Sequence, residues 1–352
     1  MKIKLAILEE QQSHLNRIVS ALNTKYSDNF EIYSFTTQEM ALSSLEKARI
    51  DVFVASEAFD VDVSKLPPRC GFAYLVDSTG LETFRGQKVI CKFQKVDLIY
   101  REILGVYSEH AGSVSEMRHG DGTTTILAFT PVSGGCGSST MAAACALHFS
   151  AQGKRTLYLN MEKLGSADIF FHGEGQFCMS DIIFALKSKK TNIALKLESC
   201  MQRDPKGVFF VSRSKFALDM LELGPDDLLR LLTELQQTCA YDVIILDMDF
   251  SLDKKMAEVY RRAYAWVWVG DGSEISNEKI SRAFTAITAL EKSSDIPLVG
   301  KLTLLYNKFS NKTGKRLDMG VRTIGGAPKY EHATTAQILG QLAPMDVFDK
   351  LL

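Results

Sequence analysis

The chain has 352 residues, of which 46% are hydrophobic and 24% are charged, and it contains only 8 prolines. These proportions are those of a folded globular protein and exclude a disordered or fibrous chain. The formal net charge is -1, so the chain lacks the overall positive charge of a dedicated DNA-binding protein, and we do not expect DNA binding. A chain of this length is expected to form two domains, each with its own core.

The seven cysteines are odd in number, are scattered along the chain and include no pair at C-x-x-C spacing. This pattern predicts neither a zinc site, nor an iron-sulfur site, nor a disulfide framework. The first residues lead directly into a strand-like run, with no apolar region typical of a signal peptide, and no apolar stretch approaches the length of a membrane span. We therefore expect a cytoplasmic protein.

Five apolar runs of strand length alternate with helical patterns in the first third of the chain. They cover residues 4–8, 31–35, 52–55, 73–76 and 89–91. The alternation is typical of βα units around a parallel sheet and predicts a flavodoxin-like domain over residues 1–107. The following segment, residues 108–122, lacks periodicity and is rich in Gly, Ser and His, which predicts a linker.

A second set of strand-length runs predicts a larger α/β domain with a mainly parallel sheet over residues 123–352. The runs cover residues 124–129, 156–159, 208–211, 243–246, 265–269 and 302–306.

The first strand of this second domain leads into a glycine-rich turn, SGGCGSST at residues 133–140, and then into a helical run. We call residues 133–140 the glycine loop. Strand, glycine turn and helix form the context of a phosphate-binding loop, because glycines allow successive N–H groups to converge and the helix N-terminus adds partial positive charge. A tight turn capped by serines remains the alternative from this loop alone. The candidate nucleotide-binding residues are Gly134, Gly135, Cys136, Gly137, Ser138, Ser139 and Thr140.

A second candidate site residue is Asp247, which ends the apolar run 243–246. A carboxylate at the carboxyl edge of a parallel sheet faces the crevice where phosphates bind, and it can hold magnesium there through water. An acid in an exposed loop is the alternative interpretation.

The glycine loop resembles the deviant Walker A motif, KGGxGKT, of the ParA/MinD family of P-loop NTPases. Ser139 matches the hydroxyl that binds magnesium in that motif, whereas Ser133 and Ser138 stand where the family has lysines. The resemblance therefore implies ATP and Mg²⁺ as ligands, with the metal near Ser139 and Asp247. It also implies weak hydrolysis, because both positive charges are missing.

The resemblance extends through the second domain. It implies that Glu162 is the catalytic acid that positions the attacking water, that Asn307 contacts adenine and that Pro328 lies in a loop flanking the base. For Asn307 a simple turn asparagine remains the alternative. Ser310 stands where a GTPase would carry aspartate. Arg213, which follows a predicted strand, is a candidate for replacing the missing charge at the nucleotide, with a solvated loop cation as its alternative.

The first domain resembles a response-regulator receiver domain in its organisation. Glu9 and Glu10 end the first strand, where receivers carry acidic residues, and Lys95 follows the fifth strand, where receivers carry a lysine. Ser56 stands at the position of the phosphoacceptor aspartate. A serine hydroxyl without a base is a poor nucleophile toward phosphorus, so we expect a receiver-like docking domain that does not accept phosphate.

A degenerate receiver followed by a ParA/MinD-like domain resembles the TadZ/CpaE family of the Tad (Flp) pilus system. The resemblance implies an ATP-binding localisation or scaffold protein that forms a homodimer through its nucleotide face, has at most weak ATPase activity, and has pilus, secretion or polar-localisation proteins as partners. A ParA-type cargo-positioning ATPase with full turnover and a nucleotide-free scaffold are the alternatives. The tail, residues 344–352, carries two acids, so we expect no direct membrane insertion.

Overall fold

The computed structural model describes residues 2–110, 123–188 and 191–352. They form an α/β protein with two compact units. Among the described residues, the first unit comprises 2–110, 175–177, 184–188 and 191–200, and the second comprises 123–174, 178–183 and 201–352. From residue 111 onward, the linker predicted at 108–122 lies outside the described residues, so it stays a prediction.

The elements up to residue 110 build a receiver-like sheet. In chain order they are β1 (Ile3–Leu8), α1 (Gln12–Tyr26), β2 (Phe30–Phe35), α2 (Gln38–Lys47), β3 (Val52–Ser56), β4 (Gly71–Val76), β5 (Thr83–Phe84), β6 (Gln87–Cys91) and α3 (Val96–Ser108). The strand order is β2-β1-β3-β4-β6-β5, and all pairs are parallel except β5 with β6. The five strands predicted from the sequence are confirmed as β1, β2, β3, β4 and β6.

The later elements build the larger sheet and its helices. In chain order they are β7 (Thr125–Pro131), α4 (Ser138–Ala151), β8 (Thr156–Asn160), α5 (Ala167–Phe170), α6 (Met179–Lys187), α7 (Ile193–Cys200), β9 (Gln202–Arg203), β10 (Phe209–Phe210), α8 (Pro225–Thr238), β11 (Val243–Asp247), α9 (Lys254–Arg262), β12 (Ala265–Gly270), α10 (Glu274–Ser294), β13 (Leu302–Phe309), β14 (Arg322–Pro328) and α11 (Thr335–Leu342).

The second sheet has the strand order β14-β13-β12-β7-β11-β8-β10-β9, with parallel pairing except between β9 and β10. Strands β7, β11 and β12 lie in its middle and are almost wholly buried, which explains their continuous apolar sequences. The predicted mainly parallel sheet is confirmed. Strand β14, whose sequence RTIGGAP lacks a regular apolar pattern, was not predicted.

Helix α4 lies in the core of the second unit. Its residues from Met141 to Phe149 are all buried, because small alanine side chains allow the helix to approach its neighbours closely. Val347, Phe348 and Leu351, near the end of the chain, belong to the same apolar cluster. Among the described residues, no helix is both long and apolar enough to cross a membrane.

The first unit includes a segment that is distant from it in sequence. Within this unit, the Tyr100 hydroxyl of α3 donates to Glu198 Oε1 of α7 at 2.8 Å, and the Asn192 N–H donates to the Ser108 carbonyl at 2.9 Å. A Cβ at Gly105 would lie 2.4 Å from the Phe177 ring, so α3 needs a glycine here. Helix α7 therefore packs on α3, although its sequence lies within the range 123–352 that was predicted as the second domain.

Candidate functional site

The glycine loop connects β7 to α4 with two left-handed glycines. Gly135 has φ +75° and Gly137 has φ +81°, and Gly137 is the residue immediately before α4. A Cβ at Gly137 would lie 2.5 Å from Nδ2 of Asn307, so the backbone angle and the available space both require glycine. The helix N-terminus at Ser138 thus points its free N–H groups into the loop.

The side chains of Cys136 and Ser138 have different surroundings. Cys136 is buried in the apolar cluster around α4, and burial raises the pKa of its thiol to about 11, so we assign its contribution to the backbone. Ser138 is only 3% exposed, and its Oγ has no hydrogen-bond partner. Because a buried hydroxyl without a partner is costly, Ser138 Oγ marks a place for a polar ligand.

A chain of hydrogen bonds joins the start of α4 to the ends of β8 and β11. Ser139 Oγ donates to Glu162 Oε1 at 3.0 Å, and Asn160 Nδ2 donates to Glu162 Oε2 at 2.9 Å. Asn160 Nδ2 also lies 2.9 Å from Asp247 Oδ2, which accepts from the Tyr158 hydroxyl at 2.7 Å. The structure therefore brings together Ser139, Glu162 and Asp247.

The Asp247 carboxyl is fully buried, and its Oδ1 atom has no partner. Burial, followed by the charge of nearby Glu162, raises the pKa of Asp247 to about 7. Within the described parts of the chain, no lysine or arginine forms an ion pair with Asp247 or Glu162. Asp247 and Glu162 are therefore two neighbouring acidic side chains that a bound cation would stabilise.

The residues present fit magnesium. An unpartnered carboxylate oxygen on Asp247 and the Ser139 hydroxyl are the oxygen donors that Mg²⁺ accepts, and magnesium usually keeps water and phosphate oxygens as its remaining ligands. Residues 2–110, 123–188 and 191–352 contain no group of three or more His, Cys, Asp or Glu side chains that could hold a metal alone. A metal at this place would thus be shared with a phosphate ligand.

The two residues predicted at the base have different positions. Asn307 is buried at the end of β13, and its Nδ2 donates to the Cys136 carbonyl at 2.9 Å, so this side chain supports the glycine loop. Contact of Asn307 with adenine stays a prediction. Pro328 was predicted in a loop, which is wrong, because it is the last residue of strand β14 and pairs with Phe309. The glycines of this strand hide its pattern in the sequence.

Serines stand at the two positions where the motif has lysines, and the predicted replacement cation lies elsewhere. Ser133 is buried, and its Oγ lies 2.8 Å from Ser276 Oγ at the start of α10. Arg213, the predicted replacement cation, lies 3.5 Å from Asp168 and is largely exposed. No hydrogen bond or ion pair joins Arg213 to the glycine loop in the described residues. The role of Arg213 in nucleotide binding therefore stays a prediction without a supporting contact.

A different cation contacts the glycine loop. Lys308 Nζ donates to the Gly135 carbonyl at 2.8 Å, a contact across 173 positions of the sequence. Its backbone has φ +55°, which is uncommon for a lysine. The sequence reasoning missed this residue, although it directly follows Asn307.

The receiver-like unit also has a polar cluster at the carboxyl end of its sheet. Lys92 directly follows β6, is buried, and lies 2.6 Å from Asp77 Oδ1 and 3.5 Å from Glu9 Oε2. Lys92 therefore takes the place that was predicted for Lys95, which instead precedes α3. Ser56, at the end of β3, is 1% exposed.

Comparisons with known proteins give a family match for the first part of the chain. Residues 1–108 match the family model of the TadZ-like receiver domain. A search of curated proteins finds no match.

Several solved structures are similar to part of the chain, with TM-scores below 0.5. A ParA family ATPase from Chlorobium tepidum has 18% sequence identity and a TM-score of 0.49, covering 64% of this chain and 98% of its own. A putative plasmid partition protein from Borrelia burgdorferi B31 bound to AMPPNP has 16% identity and a TM-score of 0.48, covering 65% and 95%. The MinC:MinD cell division protein complex from Aquifex aeolicus has 15% identity and a TM-score of 0.49, covering 64% and 94%.

Proposed function

We propose that this chain, whose residues 1–108 match the TadZ-like receiver domain, is a protein of the TadZ/CpaE type. In this proposal it is an ATP-binding, dimerising scaffold protein for assembly of the Tad pilus machinery, with weak ATP hydrolysis. The observation that carries this proposal is a pair of buried, unpartnered polar atoms, Ser138 Oγ and Asp247 Oδ1. Ser138 begins α4 after strand β7, and Asp247 ends β11, the strand that pairs with β7. Both atoms gain partners when a magnesium-bound triphosphate lies over the glycine loop.

Each part of the loop has a distinct task toward the nucleotide. The N–H groups at the start of α4 and the Ser138 hydroxyl donate to phosphate oxygens, and hydrogen bonds to charged groups contribute about 1.5–3 kcal/mol each. Ser139 and Asp247 hold magnesium, which neutralises phosphate charge when bound. Such a cradle binds a triphosphate without a lysine.

Hydrolysis requires stabilisation of the transition state in addition to binding of the nucleotide. Negative charge grows on the phosphoryl oxygens in the transition state, and the loss of one preorganised donor slows such chemistry by roughly 100- to 1000-fold. Ser133 is already bonded to Ser276, and Ser138 offers only a neutral hydroxyl. Glu162 is the acid that orients the attacking water. We therefore expect the ATP-bound state of the protein to be long-lived.

A long-lived ATP-bound state suits a protein that marks a location. We propose that two copies associate through the nucleotide face, and that pilus, secretion or polar-localisation proteins are the partners that place the dimer, in the cytoplasm and at a cell pole. The apolar side chains Val347, Phe348 and Leu351 are buried in the core, so residues 344–352 do not offer them to a membrane. The formal net charge of -1 gives no general attraction to DNA.

The proposal is tested by light scattering of the purified protein with and without Mg-ATP, together with phosphate release from the same samples. We expect a dimer with Mg-ATP and phosphate release near background. A monomer at saturating ATP contradicts the dimer, and rapid phosphate release supports instead a ParA-type ATPase with full turnover. Matched samples with Asp247→Ala should stay monomeric if the metal site holds the dimer together.

A further inference from the structure

Tyr158 brings a buried hydroxyl group to the candidate magnesium site. In strand β8, Tyr158 and Asn160 are two residues apart and so lie on the same face of the sheet, and Asn160 pairs in register with Asp247 of β11. The Tyr158 hydroxyl reaches diagonally across the two strands to Oδ2 of Asp247, at 2.7 Å. A tyrosine in the middle of an apolar strand thus contacts a carboxylate at the end of the next strand in the sheet.

The two carboxylate oxygens of Asp247 have different surroundings. Oδ2 has two donors, the hydroxyl of Tyr158 at 2.7 Å and Nδ2 of Asn160 at 2.9 Å. Oδ1 is buried and has no partner. Because an ionised carboxylate can only accept hydrogen bonds, the two donors fix the rotation of the group and leave one defined oxygen for a cation.

Tyr158 makes the more specific of these two contacts. Asn160 Nδ2 carries two hydrogens, and it also lies 2.9 Å from Glu162 Oε2 and 3.2 Å from the Tyr158 hydroxyl, so it is shared among three acceptors. The Tyr158 hydroxyl has one hydrogen, which it donates to Asp247. The Tyr158 ring is fully buried in the apolar cluster around α4, and its centroid lies 5.0 Å from that of Phe171. Close packing therefore fixes the position of the donor.

We propose that Tyr158 is a positioning residue for the metal, which holds Oδ2 of Asp247 so that Oδ1 is presented to the cation. This inference rests on the proposed nucleotide site. Partners that orient a metal ligand from behind are important for the metal, and their removal typically lowers metal affinity about 10- to 100-fold. Since Tyr158 acts through Asp247, it should affect only the part of nucleotide binding that depends on magnesium.

The test is Tyr158→Phe, which removes one hydroxyl oxygen and keeps the ring. ATP binding is measured by titration calorimetry with magnesium and with EDTA, and the ratio of the two affinities gives the contribution of the metal. We expect this ratio to fall about tenfold or more, while the affinity in EDTA stays that of the wild type. Tyr100→Phe is the matched control, because it removes another hydroxyl that donates to a carboxylate, Glu198 Oε1 at 2.8 Å, in the receiver-like unit. It should leave the ratio unchanged.

A ratio in Tyr158→Phe equal to that of the wild type overturns the role of Tyr158 and leaves the proposed function intact. An equal loss of affinity with and without magnesium assigns Tyr158 to packing alone, and so also overturns the proposal. A crystal structure of the wild type with Mg-ATP tests the same assignment without a variant: Oδ1 of Asp247 should face the metal, and Oδ2 facing the metal overturns the proposal. Absence of ATP binding by the wild type, or binding that magnesium does not strengthen, contradicts the proposed site itself.

Discussion

The hydroxyl of Ser139 donates to Oε1 of Glu162 at 3.0 Å, so the residue assigned to magnesium and the residue assigned to the attacking water are in direct contact. Asn160 holds the other carboxylate oxygen of Glu162 and also reaches Asp247. The three functional groups are therefore parts of one hydrogen-bonded network. A change in the charge of Glu162 therefore changes the pKa of Asp247.

The raised pKa of Asp247 makes Mg-ATP binding dependent on pH. With the pKa of Asp247 raised to about 7, the ligand-free carboxyl is protonated in acid and must release its proton before it can hold a cation. We expect affinity to rise with pH by up to about tenfold per unit below pH 7 and to level off above it. Calorimetry between pH 5.5 and 8.5 on the wild type and Asp247→Asn measures this. The phosphates of the ligand titrate alike with both proteins, so an equal pH dependence would refute the role of Asp247.

Glu162→Gln should move this pH dependence to lower pH. The charge of Glu162 is the second cause, after burial, of the raised pKa of Asp247, and glutamine removes that charge while its amide oxygen can still accept from Ser139. The same calorimetric series measures the midpoint in the variant. A midpoint that stays where it is in the wild type would mean that burial alone raises the pKa of Asp247.

Ser138→Lys should raise ATP turnover, on the order of 100-fold, with a smaller change in ATP affinity. The buried Ser138 Oγ has no partner to lose, and a lysine there would meet charge that grows in the transition state. Ser133→Lys is a contrasting variant, since it breaks the buried bond to Ser276 and should lower stability. Phosphate release and thermal unfolding of both variants measure these effects. Wild-type turnover equal to that of Ser138→Lys would show that another cation already serves the site.

The receiver-like unit should not be phosphorylated by acetyl phosphate, because Ser56 replaces the acceptor carboxylate and Lys92 is already paired with Asp77 and Glu9. Mass spectrometry of the treated protein measures this. An acid-labile phosphate would implicate Asp77, the acid nearest to Lys92. Asp51 is a poor candidate, because it precedes β3 at the opposite end of the sheet.

Much of this arrangement could be predicted from the sequence, because strand-length apolar runs and the carboxyl-edge rule are local signals. The carboxyl-edge rule predicted that Asp247 faces the phosphate crevice, whereas the places of Ser139 and Glu162 were implied by the resemblance to the ParA/MinD family. The contact of Lys308 with Gly135 could not be predicted, since it depends on a left-handed backbone at one residue and on packing across 173 positions. Lys92 was missed for a related reason: burial, which the sequence does not record, distinguishes it from Lys95.

The packing of α7 on α3 depends in the same way on tertiary contacts such as that between Tyr100 and Glu198. The helical pattern of residues 193–200 predicts a helix, but it does not predict which helix packs against it. Domain assignment by position along the chain therefore fails for such a segment.

The most direct test of the account is a calorimetric titration of the wild-type protein with Mg-ATP, repeated with Asp247→Ala and with EDTA in place of magnesium. We predict one ATP bound per chain, with binding that weakens strongly in the variant and to a similar extent without the metal. A wild-type protein that binds no ATP up to millimolar concentration would contradict the nucleotide site. Asp247→Ala binding as tightly as the wild type would contradict the metal role of Asp247.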